Sequence, residues 1–272
     1  MFTILMLISH TISDFVIQTN DVVKLKSQMK LKGYLYHGVG FLVTSMLMII
    51  CVKLNNIPKL IGLILAITMI HLCIDCLKEF IQNYIKNKNN DELNAKVEIV
   101  LFLSDQLFHI ITILLITNNV TLHFNILNEI LLKAINNHSP FTQSDFKIIF
   151  IIAYIAFSGV YLIPLIFNLI YVKVNNYSDI LNTKLKVGLA KGEDKFIDEV
   201  KTGKWIGILE RILITVFIYN NQLSAIGFII AVKSLARFKM LDNKIFSEYY
   251  LLGTLFSVAY TFSTYYILYK II

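Results

Sequence analysis

Three residue pairs of the same chemistry recur in the first half of the chain at one spacing. They are His10-Thr11-Ile12-Ser13-Asp14, His71-Leu72-Cys73-Ile74-Asp75 and Asp105-Gln106-Leu107-Phe108-His109. Each couples an imidazole with a carboxylate at i, i+4, one helical turn apart on one face. A single further histidine, His37, stands between the first two pairs. Imidazole nitrogens and carboxylate oxygens form the donor set that borderline and hard divalent ions prefer, such as zinc, manganese or iron. Four imidazoles and three carboxylates exceed what one zinc needs. The surplus leaves room for two ions, or for carboxylates that orient the histidines. On this reading His10, His71, His109 and Asp75 are ligands, and Asp14 or Asp105 completes the set or acts as general base. His37 shuttles protons or completes a second metal position. The competing reading is a set of buried His–Asp hydrogen bonds that hold helices together.

The elements that carry these residues are apolar. Of 272 residues, 56% are hydrophobic and 16% charged, with mean hydropathy +0.66. Soluble domains lie nearer about 45–50% apolar and about 25% charged. The composition excludes a disordered chain, a secreted disulfide scaffold and an ordinary cytosolic enzyme, and it describes a multi-pass membrane protein. The net charge is +7 and the pI near 9.1. The lysines fall between apolar runs, which is the positive-inside pattern of a membrane protein, so nucleic acid is not expected as a partner. Cys51, Cys73 and Cys76 lie in apolar stretches and give no disulfide framework. Cys73 and Cys76 point away from the His71/Asp75 face and read as packing residues.

Eight runs approach the roughly 20 apolar residues a transmembrane helix needs. They are Phe2–Thr19, Tyr34–Leu54, Ile57–Phe80, Glu98–Thr117, Phe146–Val172, Trp205–Tyr219, Leu223–Phe238 and Phe246–Tyr269. The first is a poor signal peptide, with no basic leading region and with His10 and Asp14 mid-run. Odd-numbered connections are Lys-rich and even ones are poor in Lys, so the odd ones are placed in the cytoplasm. The fold expected is an all-α, polytopic integral membrane helical bundle of about eight transmembrane helices, with both termini outside. In this topology His precedes Asp on two inward-running spans and follows it on the outward-running one. The histidines then form a deeper layer, and the aspartates lie one turn nearer the cytoplasm. His37 lies near the Asp layer or the rim.

The expected organisation is a four-helix half over 1–119 and a second half over 120–272. The second half begins with an amphipathic segment at Val120–Ser139 on the outer surface. Its cytoplasmic connection, 173–204, reads as an interfacial helix or hairpin over Tyr177–Gly203. The spans beyond it carry Glu210, Arg211, Lys233, Arg237 and Glu248. Glu210 with Arg237, and Arg211 with Glu248, are plausible ion pairs fixing three helices. In the sharper reading Arg211, Lys233 and Arg237 bind a phosphate or carboxylate of the substrate. Gln18 and Gln106 read as helix–helix hydrogen bonders, and Lys78 and Glu79 as interfacial anchors.

The motifs His10-x-x-x-Asp14-Phe15-x-x-Gln18, isolated His37, His71-x-x-x-Asp75 and Asp105-Gln106-x-x-His109 match a known pattern in order. Over about the first 120 residues the chain resembles the bacterial membrane family catalogued as domain of unknown function 3307. The second half looks like an extension found in some members. That family has no assigned activity. In layout the chain is more distantly similar to bacterial membrane proteins described as metal-dependent hydrolases, which set His and Asp on short transmembrane helices. The function expected is a divalent-metal hydrolase of the bacterial cytoplasmic membrane, acting on a lipid or phosphate-bearing substrate near the cytoplasmic leaflet. The alternatives are a divalent-metal or proton-coupled transporter, and a non-catalytic subunit with structural His–Asp pairs. The paired broken helices of many transporters are not evident in the sequence.

Overall fold

The computed structural model describes residues 1–50, 57–86, 90–118, 142–172, 193–242 and 244–272, all helices and short turns. Helices occupy all eight apolar runs. They are α1 (Phe2–Ile12), α3 (Leu31–Ile50), α4 (Ile57–Lys86), α5 (Asp91–Thr117), α6 (Gln143–Val172), α7 (Glu193–Tyr219), α8 (Leu223–Ala236) and α9 (Lys244–Ile271). A short helix that composition did not suggest, α2 (Asn20–Ser27), follows α1 at an angle of 95°. Among the described residues four segments are long and apolar enough to cross a membrane: Pro58–Lys86, Asp91–Thr117, Gln143–Ile170 and Phe246–Ile271. The bent pair of Phe2–Ile17 and Asn20–Ser27 makes a fifth if counted as one span. The outer amphipathic segment, Cys51 and most of the 173–204 connection lie outside the described residues. From Glu193 onward that connection is no separate hairpin, because α7 runs unbroken through Gly203 into Trp205.

The residues form two compact units, Met1–Phe150 and Ile151–Ile272. In the first, α1 packs against α3 and α5, α4 lies beside both of those helices, and α2 rests on α3 and α4. Burial here is inverted relative to a soluble bundle. On α5 the buried stripe is Asp105, His109, Ile113 and Thr117, while Leu103, Leu107, Ile111 and Leu115 are exposed. On α3 the exposed stripe is Val39, Val43 and Leu47 and the buried face holds His37, Phe41 and Ser45. A helix that turns leucine outward and ionisable groups inward suits a lipid surround, where apolar side chains cost nothing at the periphery. Asn90 starts α5, its Oδ1 accepting from Leu93 N at 2.9 Å, an N-cap that Asp91 and Glu92 reinforce against the helix dipole.

In the second unit α7 and α8 form a hairpin whose turn uses Asn221 at φ 56. Glu210 and Lys233 lie about equally far from that turn and meet at 2.6 Å. This register replaces the expected Glu210–Arg237 pair, since Arg237 lies a further turn along and sits over the Phe246 ring. Nor does Arg211 meet Glu248, which sits 4.0 Å from Lys244 on its own helix. One residue on from Glu210, Arg211 points to a different side of α7. Its Nε and Nη2 donate to Ala156 O of α6 at 3.2 and 2.7 Å. The approach depends on Gly159, where an added Cβ would lie 2.7 Å from Arg211 Nε. Gly159→Ala is therefore expected to lower stability by about 1–3 kcal/mol through overpacking. Thermal unfolding in detergent checks this, with Gly62→Ala, where an added Cβ meets nothing, as the control.

Candidate metal centre

His10 lies in the last turn of α1. Beyond Ile12 the helix widens into a π-helical turn, Ser13–Ile17, closed by Gln18 N donating to Ser13 O at 3.1 Å. Such turns re-aim side chains and recur at functional sites. Asp14 lies in this turn, its Oδ1 3.5 Å from His10 Nδ1. The chain then straightens at Gln18, Thr19 caps α2 by accepting from Val22 N, and the bend follows. α3 supplies His37, α4 supplies His71 and Asp75, and α5 supplies Asp105 and His109. The structure brings all seven of these residues into one cluster.

Asp14 Oδ1 is the hub, 3.5 Å from His10 Nδ1, from His37 Nε2 and from His71 Nε2. The imidazoles crowd together, with ring centroids 4.1 Å apart for His71–His109 and 4.8 Å for His10–His109. Phe41 stacks on His71 at 5.0 Å and fixes its plane. His109 Nδ1 donates to Asp105 O at 2.8 Å, the carbonyl being the acceptor. Nε2 lies 3.3 Å from a second carbonyl, His71 O. Since both oxygens only accept, a neutral ring that gives its proton to the shorter bond keeps its Nε2 lone pair for a cation, with the carbonyl-bonded nitrogen orienting the ring as in metal-ligating histidines. Three groups offer donor atoms that all lie within 4.8 Å of one another: His10, Asp14, His71 and His109; His37, His71 and Asp75; and Asp75, Asp105 and His109.

Three lines of chemistry test whether a cation fits. Both nitrogens of His10, Nδ1 of His71, and Oδ1 of Asp14 and Asp105 are buried without a hydrogen-bond partner. Orphaned buried polar atoms are costly, and a cation would satisfy several at once. A tetrahedral ion with bonds of about 2.0–2.1 Å holds its ligand atoms about 3.3–3.4 Å apart, close to the spacing around Asp14. His37 Nε2 also faces both His71 Nε2 at 2.7 Å and Asp75 Oδ2 at 3.1 Å. One N–H cannot serve both.

The amino-terminal part of the chain is also where a relationship to known proteins shows. Residues 2–136 match the family described as Protein of unknown function (DUF3307). This half of the chain belongs to that family. No curated protein and no solved structure matches the chain significantly.

Within the DUF3307 domain the structure adds two residues that sequence reasoning passed over or misplaced. Lys26, counted in the sequence only as an orienting charge, is 4% exposed, with Nζ 2.7 Å from Asp75 Oδ2. Lys78 was expected at the interface, yet, though partly exposed, its Nζ is 3.2 Å from Asp105 Oδ2, and Glu79 beside it is buried. His37 is 3% exposed and sits inside the cluster rather than at a rim. Gln18, with its amide oriented to suit both neighbours, donates to Asp14 O and accepts from Lys26 Nζ, each at 3.3 Å. Gln106 Nε2 donates to Asp105 Oδ2 at 3.2 Å. Cys73 and Cys76 are exposed on the outward face of α4, so they face away from the cluster and pack no core. A lysine within an α1–α3 connection carries no periodic signal. Its one mark in the sequence is its place six residues before Lys32, between a capping Thr19 and Gly33.

Proposed function

We propose that the DUF3307 domain holds a divalent metal ion in the membrane through His10, Asp14, His71 and His109, and uses it for hydrolysis. One observation carries the choice of ligands. Among the described residues Asp75 and Asp105 each have a lysine ammonium at hydrogen-bond distance, whereas Asp14 has only imidazoles around it. A buried carboxylate without a fixed cation marks where a mobile one belongs. Asp14 thus takes the ligand position that spacing alone gives to Asp75.

A bound divalent ion supplies Lewis acidity and a water of lowered pKa. The chain's own residues do the remainder. Asp105 has Oδ1 free of hydrogen bonds while Lys78 and Gln106 hold Oδ2, so it is placed to accept a proton. His37, bonded to His71 and facing Asp75, passes protons along the cluster. The substrate class that suits this site is a lipid or another phosphate-bearing molecule reaching it from the bilayer. The eight-span topology, with the cluster toward the cytoplasmic leaflet, belongs to the same proposal.

The break between α1 and α2 favours a second reading. A helix interrupted beside an intramembrane cation site is the arrangement of many secondary transporters. Elemental analysis of the purified chain comes first, with bound divalent metal expected; a metal-free protein that binds none on addition overturns both readings. Metal-dependent cleavage of phosphate esters by the loaded protein supports hydrolysis. Metal uptake into proteoliposomes, abolished by Asp75→Asn, supports transport instead.

A further inference from the structure

We propose that the Lys26 ammonium is a built-in substitute for a second divalent cation, standing at a latent site formed by His37, His71 and Asp75. The proposal rests on the metal reading above and says why the centre takes one ion rather than two.

The donor atoms of His37, His71 and Asp75 already lie within 4.8 Å of one another, so the second group is formed and not merely adjacent. Its carboxylate oxygen, Asp75 Oδ2, is the atom that both Lys26 Nζ and His37 Nε2 approach, at 2.7 and 3.1 Å. An ammonium is a compact point charge with three donors, and of all side chains it is the closest stand-in for a small hard cation. At Asp75 it supplies charge where an ion would, but it cannot accept the imidazole lone pairs. The His37–His71 pair, 2.7 Å apart with one proton to share, is what remains.

The surroundings show that Lys26 is delivered to this point by construction. Its helix exists because the chain breaks after Ile17, is capped by Thr19 and turns 95°. Met29 at φ 55 ends the helix in the left-handed region, with Lys30 N donating to Leu25 O at 3.0 Å. The returning α3 lies so close that a Cβ on Gly33 would be 2.7 Å from Lys26 N and 2.8 Å from Leu25 Cβ. Asn83 Nδ2 of α4 donates to Ser27 O at 2.9 Å and pins the other side. Gln18 accepts from Nζ. Four elements thus fix one amine. His71 belongs to both metal groups, so with an ion at each position it would have to bridge them as an imidazolate, one ring nitrogen on each ion and its ring proton released to water.

The test is zinc stoichiometry of the purified full chain by equilibrium dialysis. Wild type is expected to bind one zinc and Lys26→Met two, while Lys26→Arg, which keeps the charge, stays at one. The double variant Lys26→Met/Asp75→Asn, which removes the latent carboxylate, is also expected to bind one. A Lys26→Met protein that binds one zinc as wild type does, or a Lys26→Arg protein that binds two, overturns the proposal. If Lys26→Met does not fold without metal, excess zinc during purification is expected to rescue it, because zinc then takes the amine's place. Failure of both Lys26→Met and Lys26→Gln to fold in excess zinc also overturns it. A wild type that binds no zinc defeats the metal centre itself. A wild type that binds one, with Lys26→Met unchanged, defeats only the latent site.

Discussion

His10→Ala is expected to weaken divalent-metal binding by more than about 100-fold, beyond the 10–100-fold typical of losing an outer-shell partner. His10 is fully buried, neither nitrogen makes a hydrogen bond, and its one ionic neighbour, Asp14 Oδ1 at 3.5 Å, is itself a proposed ligand. The informative contrast is Asp105→Asn. His109 is oriented by the backbone carbonyl of Asp105 and not by its side chain. The amide variant therefore keeps that orientation and is expected to change metal affinity less than about 10-fold while lowering hydrolytic turnover, in keeping with a general base. Isothermal titration of both proteins with zinc decides. Equal losses of thermal stability in both variants, with no change in metal affinity, would return the His–Asp pairs to a purely structural role.

The second large effect concerns the buried ion pair. Lys26→Met in metal-free protein is expected to lower stability by about 3–5 kcal/mol, because it leaves Asp75 charged, buried and without its ammonium. Adding Asp75→Asn to that variant is expected to recover most of the loss, since a neutral, well-filled pair in place of a buried ion pair is often close to neutral in energy. The pair sits at the junction of α2 and α4, so its loss also frees the bent segment from the bundle. Denaturant titration of the four proteins of this double-mutant cycle measures the coupling. A coupling near zero would mean that the two charges do not depend on each other.

The seven candidate ligands were legible because helical spacing is strict. An i, i+4 pair must share a face wherever the helix ends up, and three such pairs inside apolar runs cannot all face lipid cheaply. The helices themselves followed from the same apolar runs. What spacing could not convey was which carboxylate goes with which cation. Lys78 was one turn from a helix end and read as an anchor, but α4 continues to Lys86 and places it over Asp105. In the second half the pairing of Glu210 was misread for the same reason. The α7–α8 turn sets a register that opposes Lys233, and one helical turn separates that from Arg237.

The sequence by itself determined that this chain is an all-helical protein built for an apolar surround, that its amino-terminal half is a DUF3307 domain, and that imidazoles and carboxylates share faces within it. Those are properties of composition and of period, which no packing can alter. Only the tertiary structure decided that two of the three aspartates are already matched by lysines and that Asp14 is not. That division depends on a π-helical turn at Ser13–Ile17, a 95° bend and the bare backbone of Gly33, which together bring Lys26 to Asp75 across 49 positions of chain. A contact of that kind leaves no periodic trace. It exists only once the helices are packed, because the cost of a buried charge is set by its neighbours in space.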